Sequence, residues 1–409
     1  MVPRGWRGIA ARSASNNKLG VNLSVTLAES TLGKPVATAA EQGADACDPW
    51  DGSPFVRAWE RDSRDADVLA FFQTAPWARA AAVYDRAIGR RPVLLSWREP
   101  DRAGFSIPLS IGRERGCTVA RILGEQLSEY ANVIGEGATP APLRQAFALL
   151  RRRYRVDLVV LRRVPVGSPL DRTLDQLGAI VESPQESPWV ALGPDGPVSK
   201  ANGGRVTGYR LACRHRRRLQ KQDGYRFEAL QAGDVPPDLL RLALSWKKQW
   251  IKERMLVSRI GTQALDDATC ALFTTPGIGA TVGVLWSGGE PVAVESGFLY
   301  RGRFFGSLRA YRLDRGEQRV GKIVLAETTE WCARQGATAF DHGPPADPYK
   351  LEWTDQTLRV HNRIVPLSFI GRSHGQVIER TLKPVARTVF GWLPTPVRKG
   401  LLRLTRYTH

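Results

Sequence analysis

The residues best suited to chemistry in this 409-residue chain cluster in a stretch reading Phe340-Asp341-His342-Gly343 and then Tyr349-Lys350-Leu351-Glu352-Trp353. Asp341 closes a strand predicted over 338–342, and strand-end side chains commonly reach a cleft. Its carboxylate can act as a base on an amine or hydroxyl, or orient His342. It can equally cap the turn at Gly343-Pro344-Pro345. Alternation places His342 on the opposite side of the strand, so one of the two faces a site and the other does not. Glu295 is an acid inside the otherwise apolar strand 292–298. Facing inward, burial would raise its pKa toward that of a useful base; facing outward, it is a surface carboxylate.

The charge pattern adds binding groups. Between Arg205 and Lys221 lie Arg210, Arg214, Arg216, Arg217 and Arg218, with no acid among them. Arginine at this density grips phosphates bidentately or forms a solvated helix face. The candidate substrate contacts are Arg214, Arg217 and Arg218, with Trp250 on the apolar face of a helix predicted over 236–253. A second basic stretch, 369–409, interleaves Arg372, Arg380, Lys383, Arg387, Arg398, Lys399, Arg403 and Arg406 with Leu382, Val385, Val389, Phe390 and Trp392. Such an amphipathic tail can lie on an anionic membrane surface or pack onto the body of the protein. The formal net charge of +19 favours phosphate-bearing ligands, anionic membrane or nucleic acid, and no RNP, zinc-finger or helix-turn-helix signature points to nucleic-acid readout.

Elements that would position these residues follow from periodicity. The length suggests about two domains, and 43% hydrophobic with 24% charged residues is a globular composition. Residues 1–50 show no sustained period and read as a disordered extension without a secretory signal. No apolar run is long enough to cross a bilayer. Five scattered cysteines, none in a CxxC pair, argue against a zinc site or a disulfide framework and fit a reducing cytosol. Strands are expected at 92–97, 104–111, 118–123, 157–161, 188–192, 226–229, 281–286, 292–300, 303–311 and 338–342. Helices are expected at 67–72, 76–84, 141–153, from 168, and at 208–222, 236–253 and 319–335. Ser287-Gly288-Gly289-Glu290-Pro291 signals a hairpin. The pattern is α/β (α+β), not a Rossmann repeat, and the order helix, strands, helix, strand occurs twice, as an internal duplication would give.

Arg214 to Leu219, the segment Glu290-Pro-Val-Ala-Val-Glu-Ser-Gly-Phe298 and the closing D-x-G…Y-K-x-x-W segment at 340–353 together resemble the CelD/BcsL-type acetyltransferases of the GNAT superfamily. Blocks at 72–77, 107–110 and 124–130 resemble the family too. The resemblance implies tandem GNAT-like domains with mixed sheets: a degenerate one at 51–200 and an acyltransferase domain at 201–368. It implies acetyl-CoA as co-substrate, no metal, and an acceptor such as a polysaccharide or cell-envelope precursor sugar. It also assigns the phosphate-binding loop Q/R-x-x-G-x-G/A to Gln318, Arg319, Val320, Gly321 and Lys322, where a helix start offers free N–H groups. Ile323 replaces the final small residue and can hinder close backbone approach. Tyr349 would protonate the departing thiolate and Lys350 would neutralise oxyanion charge. No cysteine or serine shows a nucleophile setting, so transfer would be direct. FemAB-type ligases share the double fold, which keeps aminoacyl-tRNA open as an alternative donor. A non-enzymatic basic protein on the same frame is the third reading. The expected location is the cytoplasm, with the tail at the inner membrane surface.

Overall fold

The computed structural model describes residues 43–376, apart from 101, 183, 200, 202, 223 and 255–259. Most of the basic tail therefore lies outside the described residues.

The first half runs β1 (Gly43–Cys47), α1 (Pro54–Ser63), a 3-10 segment (Val68–Gln73), α2 (Ala75–Ala87), β2 (Arg91–Arg98), β3 (Phe105–Glu114) and β4 (Cys117–Ile122). It continues with α3 (Pro140–Tyr154), β5 (Leu158–Pro165), α4 (Pro169–Gln176), β6 (Ile180–Val181) and β7 (Gln185–Gly193). After β8 (Gly196–Val198) and α5 (Thr207–Leu219) the plan repeats. It reads β9 (Arg226–Gln231), α6 (Pro237–Glu253), α7 (Gln263–Thr274), β10 (Ala280–Ser287), β11 (Glu290–Tyr300), β12 (Arg303–Tyr311), α8 (Val320–Arg334), β13 (Ala339–Asp341), α9 (Pro348–Leu351) and β14 (Gln356–Pro366). A short α10 (Phe369–His374) follows. The duplication expected from the sequence is thus an ordered one. β1 lies inside the stretch expected to lack structure and pairs antiparallel with β2.

The local signals act as their chemistry dictates. Ser53 caps α1, accepting from the Val56 N–H at 3.3 Å, with Pro54 in the first turn. The β10–β11 hairpin turns on Gly288 and Gly289, at φ 62° and 80°, the paired left-handed conformation that a two-residue turn needs. Residues 67–72, expected to be helical, fall in the 3-10 segment Val68–Gln73 that Asp67 caps.

Among the described residues the strands form one sheet, ordered β1-β2-β3-β4-β5-β14-β7-β13-β12-β11-β10-β9. Two pairs are parallel, β4 with β5 and β12 with β13, one in each half. The last strand of each half crosses over. β14 pairs with β5, β7 pairs with β13, and the two exchanged strands pair with each other. A cut at residue 200 therefore does not separate the halves. Aromatic packing joins them as well. Phe71 of the 3-10 segment stacks on Phe305 of β12 at 5.6 Å and meets Phe298 and Tyr300 of β11. Phe71, Phe72, Phe298 and Phe305 are all buried, each contributing about 2 kcal/mol of apolar burial. This cluster holds the loop after β4 against the second half's sheet, with Tyr130 and Phe305 rings 6.2 Å apart.

Candidate active site

β12 and β13 pair only through Arg303–Ala339, Phe304–Phe340 and Phe305–Asp341, after which β12 runs on without β13. A register shift against β11 at Ser296/Gly297 leaves Ser307 as an extra residue, so β12 is bulged where the parallel pair ends. A cavity of about 110 Å³ opens there, lined by Glu129, Lys247, Glu295, Gly306, Ser307, Arg309, His342, Pro344, Tyr349 and Lys350. Four residues singled out from the sequence, Glu295, His342, Tyr349 and Lys350, meet in it.

Their states differ from the simplest expectation. Glu295 faces inward, only 2% exposed, but its carboxylate is paired with Arg309, whose Nη2 lies 3.3 Å from Oε1. That ion pair makes it a holder of Arg309 more than a free base. His342 is 6% exposed, and burial, with Arg309 and Lys350 nearby, pushes its pKa far down, so the ring is neutral. Neither ring nitrogen has a hydrogen-bond partner. Lys350 donates to the carbonyls of Gly343 at 2.8 Å and Pro345 at 3.0 Å, clamping that turn. Tyr349 sits at the rim, 41% exposed, its pKa raised by burial, with the Arg309 guanidinium over its ring at 5.3 Å.

Asp341 does not line the cavity. Fully buried, it accepts from Arg303 Nε and Nη2 at 2.9 and 2.7 Å, from the Tyr130 hydroxyl at 2.7 Å and from the Gly343 N–H at 2.9 Å. The turn-capping alternative describes it, and its carboxylate is taken up by these four hydrogen bonds.

Three cavity groups were not singled out from the sequence: Glu129, Lys247 and Arg309. Glu129 comes from the first half, on the loop after β4, and reaches over the end of β13. It lies so close to Gly343 that a Cβ there would stand 2.6 Å from its Oε2 and push the carboxylate aside, and the φ of 66° at Gly343 favours glycine. Burial pushes the Glu129 pKa up to about 7 against the lowering pull of Arg163 and Lys350, while 18% of its side chain stays accessible. Lys247 was legible in principle. It occupies an inward helical position three and four residues from Ala243, Leu244 and Trp250, where the stripe calls for an apolar residue. Its ammonium lies 4.5 Å from the Trp250 ring, which places half-buried Trp250 beside the cavity.

The second group of predicted residues gathers at the start of α8. Arg319, at φ 58°, precedes Val320, and no side chain caps the helix. Ile323 is fully buried in a core cluster with Leu219, Leu285 and Val324, so its bulk points away from the helix's outer face and does not hinder approach. Gly321 packs against Tyr311, whose ring would be 2.8 Å from an added Cβ. Lys322 pairs with Glu352, and Gln318 Oε1 is buried without a partner. Burial together with Arg218, Arg319, Lys322 and Arg214 lowers the pKa of His215, so the arginine helix α5 and the α8 start form one cationic face. Arg214, Arg217 and Arg218 are exposed, whereas Arg216 is tied to Glu330 at 2.8 Å and to Glu327. An uncapped helix start among cations suits a diphosphate. Among the described residues no cluster of three or more His, Cys, Asp or Glu could hold a metal, and no helix is long and apolar enough to cross a membrane.

No curated protein matches the chain. FemX is similar in structure, with 11% identity, 79% of this chain and 98% of that chain covered, and a TM-score of 0.55. L-PGS from Bacillus licheniformis gives 12% identity, 79% and 97% coverage and a TM-score of 0.45. A tandem GNAT protein from the clavulanic acid biosynthesis pathway gives 10%, 80%, 99% and 0.41. Residues 210–351 match the family model described as an acetyltransferase (GNAT) domain.

Proposed function

We propose that the second-half cleft transfers an acyl group, acetyl in the simplest case, directly from acyl-CoA to an amine or hydroxyl of an acceptor such as a polysaccharide or cell-envelope precursor sugar. The observation that carries this reading is the meeting of Glu129, titrating near neutrality, with the Tyr349 phenol in a cavity where the parallel strands part. An acyl thioester supplies an activated carbonyl and a thiolate leaving group. Glu129 accepts the proton that the acceptor loses as its nitrogen or oxygen bonds to the carbonyl carbon. Tyr349, kept protonated by its raised pKa, donates to the sulfur as the C–S bond breaks. Lys350 fixes the Gly343–Pro345 turn and adds positive charge near the developing oxyanion. The α8 start, with Arg319, Lys322, Arg214 and Arg218, would hold the diphosphate. The acceptor class is supported by the CelD/BcsL resemblance, and no nucleophilic cysteine or serine lines the cavity apart from Ser307, which lacks a base paired to it among the described residues.

A thermal-shift titration tests the donor, because a ligand that binds the folded state raises its apparent stability. Acetyl-CoA should stabilise the full chain, and Gly321→Glu should weaken that binding by about tenfold or more, since it adds bulk against Tyr311 and an anion at the phosphate site. Gly321→Glu folding normally with unchanged affinity would remove the phosphate-site assignment. Salt-dependent tRNA binding with no response to acetyl-CoA would replace the donor with aminoacyl-tRNA.

A further inference from the structure

The charges in the cavity do not balance within it. Arg309 is neutralised by Glu295. Lys350 is held by two carbonyls, with Asp347 at 3.8 Å. Lys247 has no ion-pair or hydrogen-bond partner among the described residues; its close contact is the face of Trp250. A part-buried ammonium beside two further cations is costly unless an anion completes it. Glu129 and His342 line the same cavity, and His342 is nine-tenths buried with both ring nitrogens unpartnered. A neutral imidazole offers one donor and one acceptor, which an isolated apolar group would leave unsatisfied.

We infer that the acceptor entering this cavity carries an anionic oxygen group, carboxylate or phosphate, which Lys247 binds and His342 hydrogen-bonds, beside the nucleophile that faces Glu129. The inference deepens the acyltransfer reading and rests on it for the role of Glu129 alone; the anion site stands on Lys247 and His342. A sugar bearing a uronate or a phosphate meets this requirement, whereas a neutral sugar leaves Lys247 uncompensated. Burial, with Arg309 and Lys350 nearby, holds Lys247 at a pKa of about 8 against the opposing pull of Glu295 and Asp347.

Three matched two-carbon amines test it on the full chain: ethanolamine, β-alanine and O-phosphoethanolamine, titrated by ligand-observed NMR with and without acetyl-CoA. The anionic pair should bind about tenfold tighter than ethanolamine, the ratio of β-alanine to O-phosphoethanolamine telling carboxylate from phosphate. Lys247→Met should abolish the preference and Lys247→Arg should retain it, with thermal unfolding confirming that both variants fold. Equal affinities, no binding of any probe, or a preference that survives Lys247→Met would overturn the inference. A Lys247-dependent preference in a chain that ignores acetyl-CoA would leave the anion site standing and remove the donor reading instead.

Discussion

The two halves share one plan, yet their cavities are electrostatic opposites. Each lies beside a parallel strand pair that stays together for three residues, β4 with β5 and β12 with β13. The first-half cavity, about 70 Å³, is lined by Asp85, Arg90, Glu114, Arg121, Glu125 and Arg162, among others. There Glu114 and Glu125 are satisfied by the arginines, while burial raises the Asp85 pKa. Arg121 holds Glu114 through two N–H groups at 2.7 and 2.8 Å and lies 3.3 Å from Glu125, while Arg90 reaches Glu114 at 2.7 Å. Burial works to raise the Glu114 pKa, but Arg121 and Arg90 outweigh it and hold it at about 2. In the second half burial wins at Glu129, which stands at about 7 because Arg163, at 3.4 Å, and Lys350 compensate it only partly. A carboxyl locked in its ionised form is a structural strut. One that exchanges its proton near neutral pH can do acid–base work.

The sharpest way to break this contrast is to remove one carboxylate from each cavity. Glu129→Gln should lower acyl transfer by about 10²–10⁴-fold in a steady-state thiol-release assay while the chain stays folded. Glu125→Gln should do the reverse. Removing one partner from the buried Arg121–Glu125–Arg162 group should cost about 3 kcal/mol in denaturant unfolding, and the folded fraction should keep its turnover. Comparable activity losses in both variants would dissolve the distinction between the cavities.

A pH dependence of stability sharpens it further. The folded-state pKa of Glu129 is raised from 4.5 to about 7, so folding favours its protonated form. Relative to Glu129→Gln, the wild-type chain should therefore lose on the order of 3 kcal/mol as pH climbs from below 4.5 through about 7. Glu114 has the opposite sign: held at about 2, it contributes stability at neutral pH that is lost as acid approaches that value. Unfolding midpoints of the wild type and Glu129→Gln that track in parallel from pH 4 to 8 would contradict the assignment. The smallest effect should come from Arg217→Ala. Arg214 and Arg218 act on His215 beside the α8 start, whereas Arg217 is exposed on α5, so its loss should change stability by less than about 0.5 kcal/mol. Acetyl-CoA affinity should fall several-fold less for Arg217→Ala than for Arg218→Ala, as titration calorimetry would record.

What the sequence revealed and what it hid follow from the range of the interactions. Elements whose residues carry their own pattern were legible: α6 over Pro237–Glu253, β12 over Arg303–Tyr311, and the Gly288-Gly289 hairpin lie within a residue or two of their expected places. The strand exchange was not, because it depends on partners about 150 to 200 residues apart. β14 carries Arg363, 1% exposed, which reads as a solvent residue until Asp171 and Asp175 of α4 meet it across the fold. The site divides the same way. Tyr349, Lys350 and His342 sit in one contiguous segment and could be read as a group. Glu129 sits in the first half, and nothing within its own segment says that tertiary packing will seat it on Gly343. Asp341, the natural base by position, is claimed by Arg303, 38 residues away, and by Tyr130, 211 residues away.

The most direct test of the central claim, that Glu129 of the first half is the base for chemistry in the second, is the pH profile of thiol release from acetyl-CoA under saturating acceptor for the wild type and Glu129→Gln. The wild-type rate should rise with pH through a midpoint near 7, as the carboxyl ionises, and Glu129→Gln should show a low rate without that inflection. A Glu129→Gln profile that keeps the wild-type rate and midpoint would contradict the account.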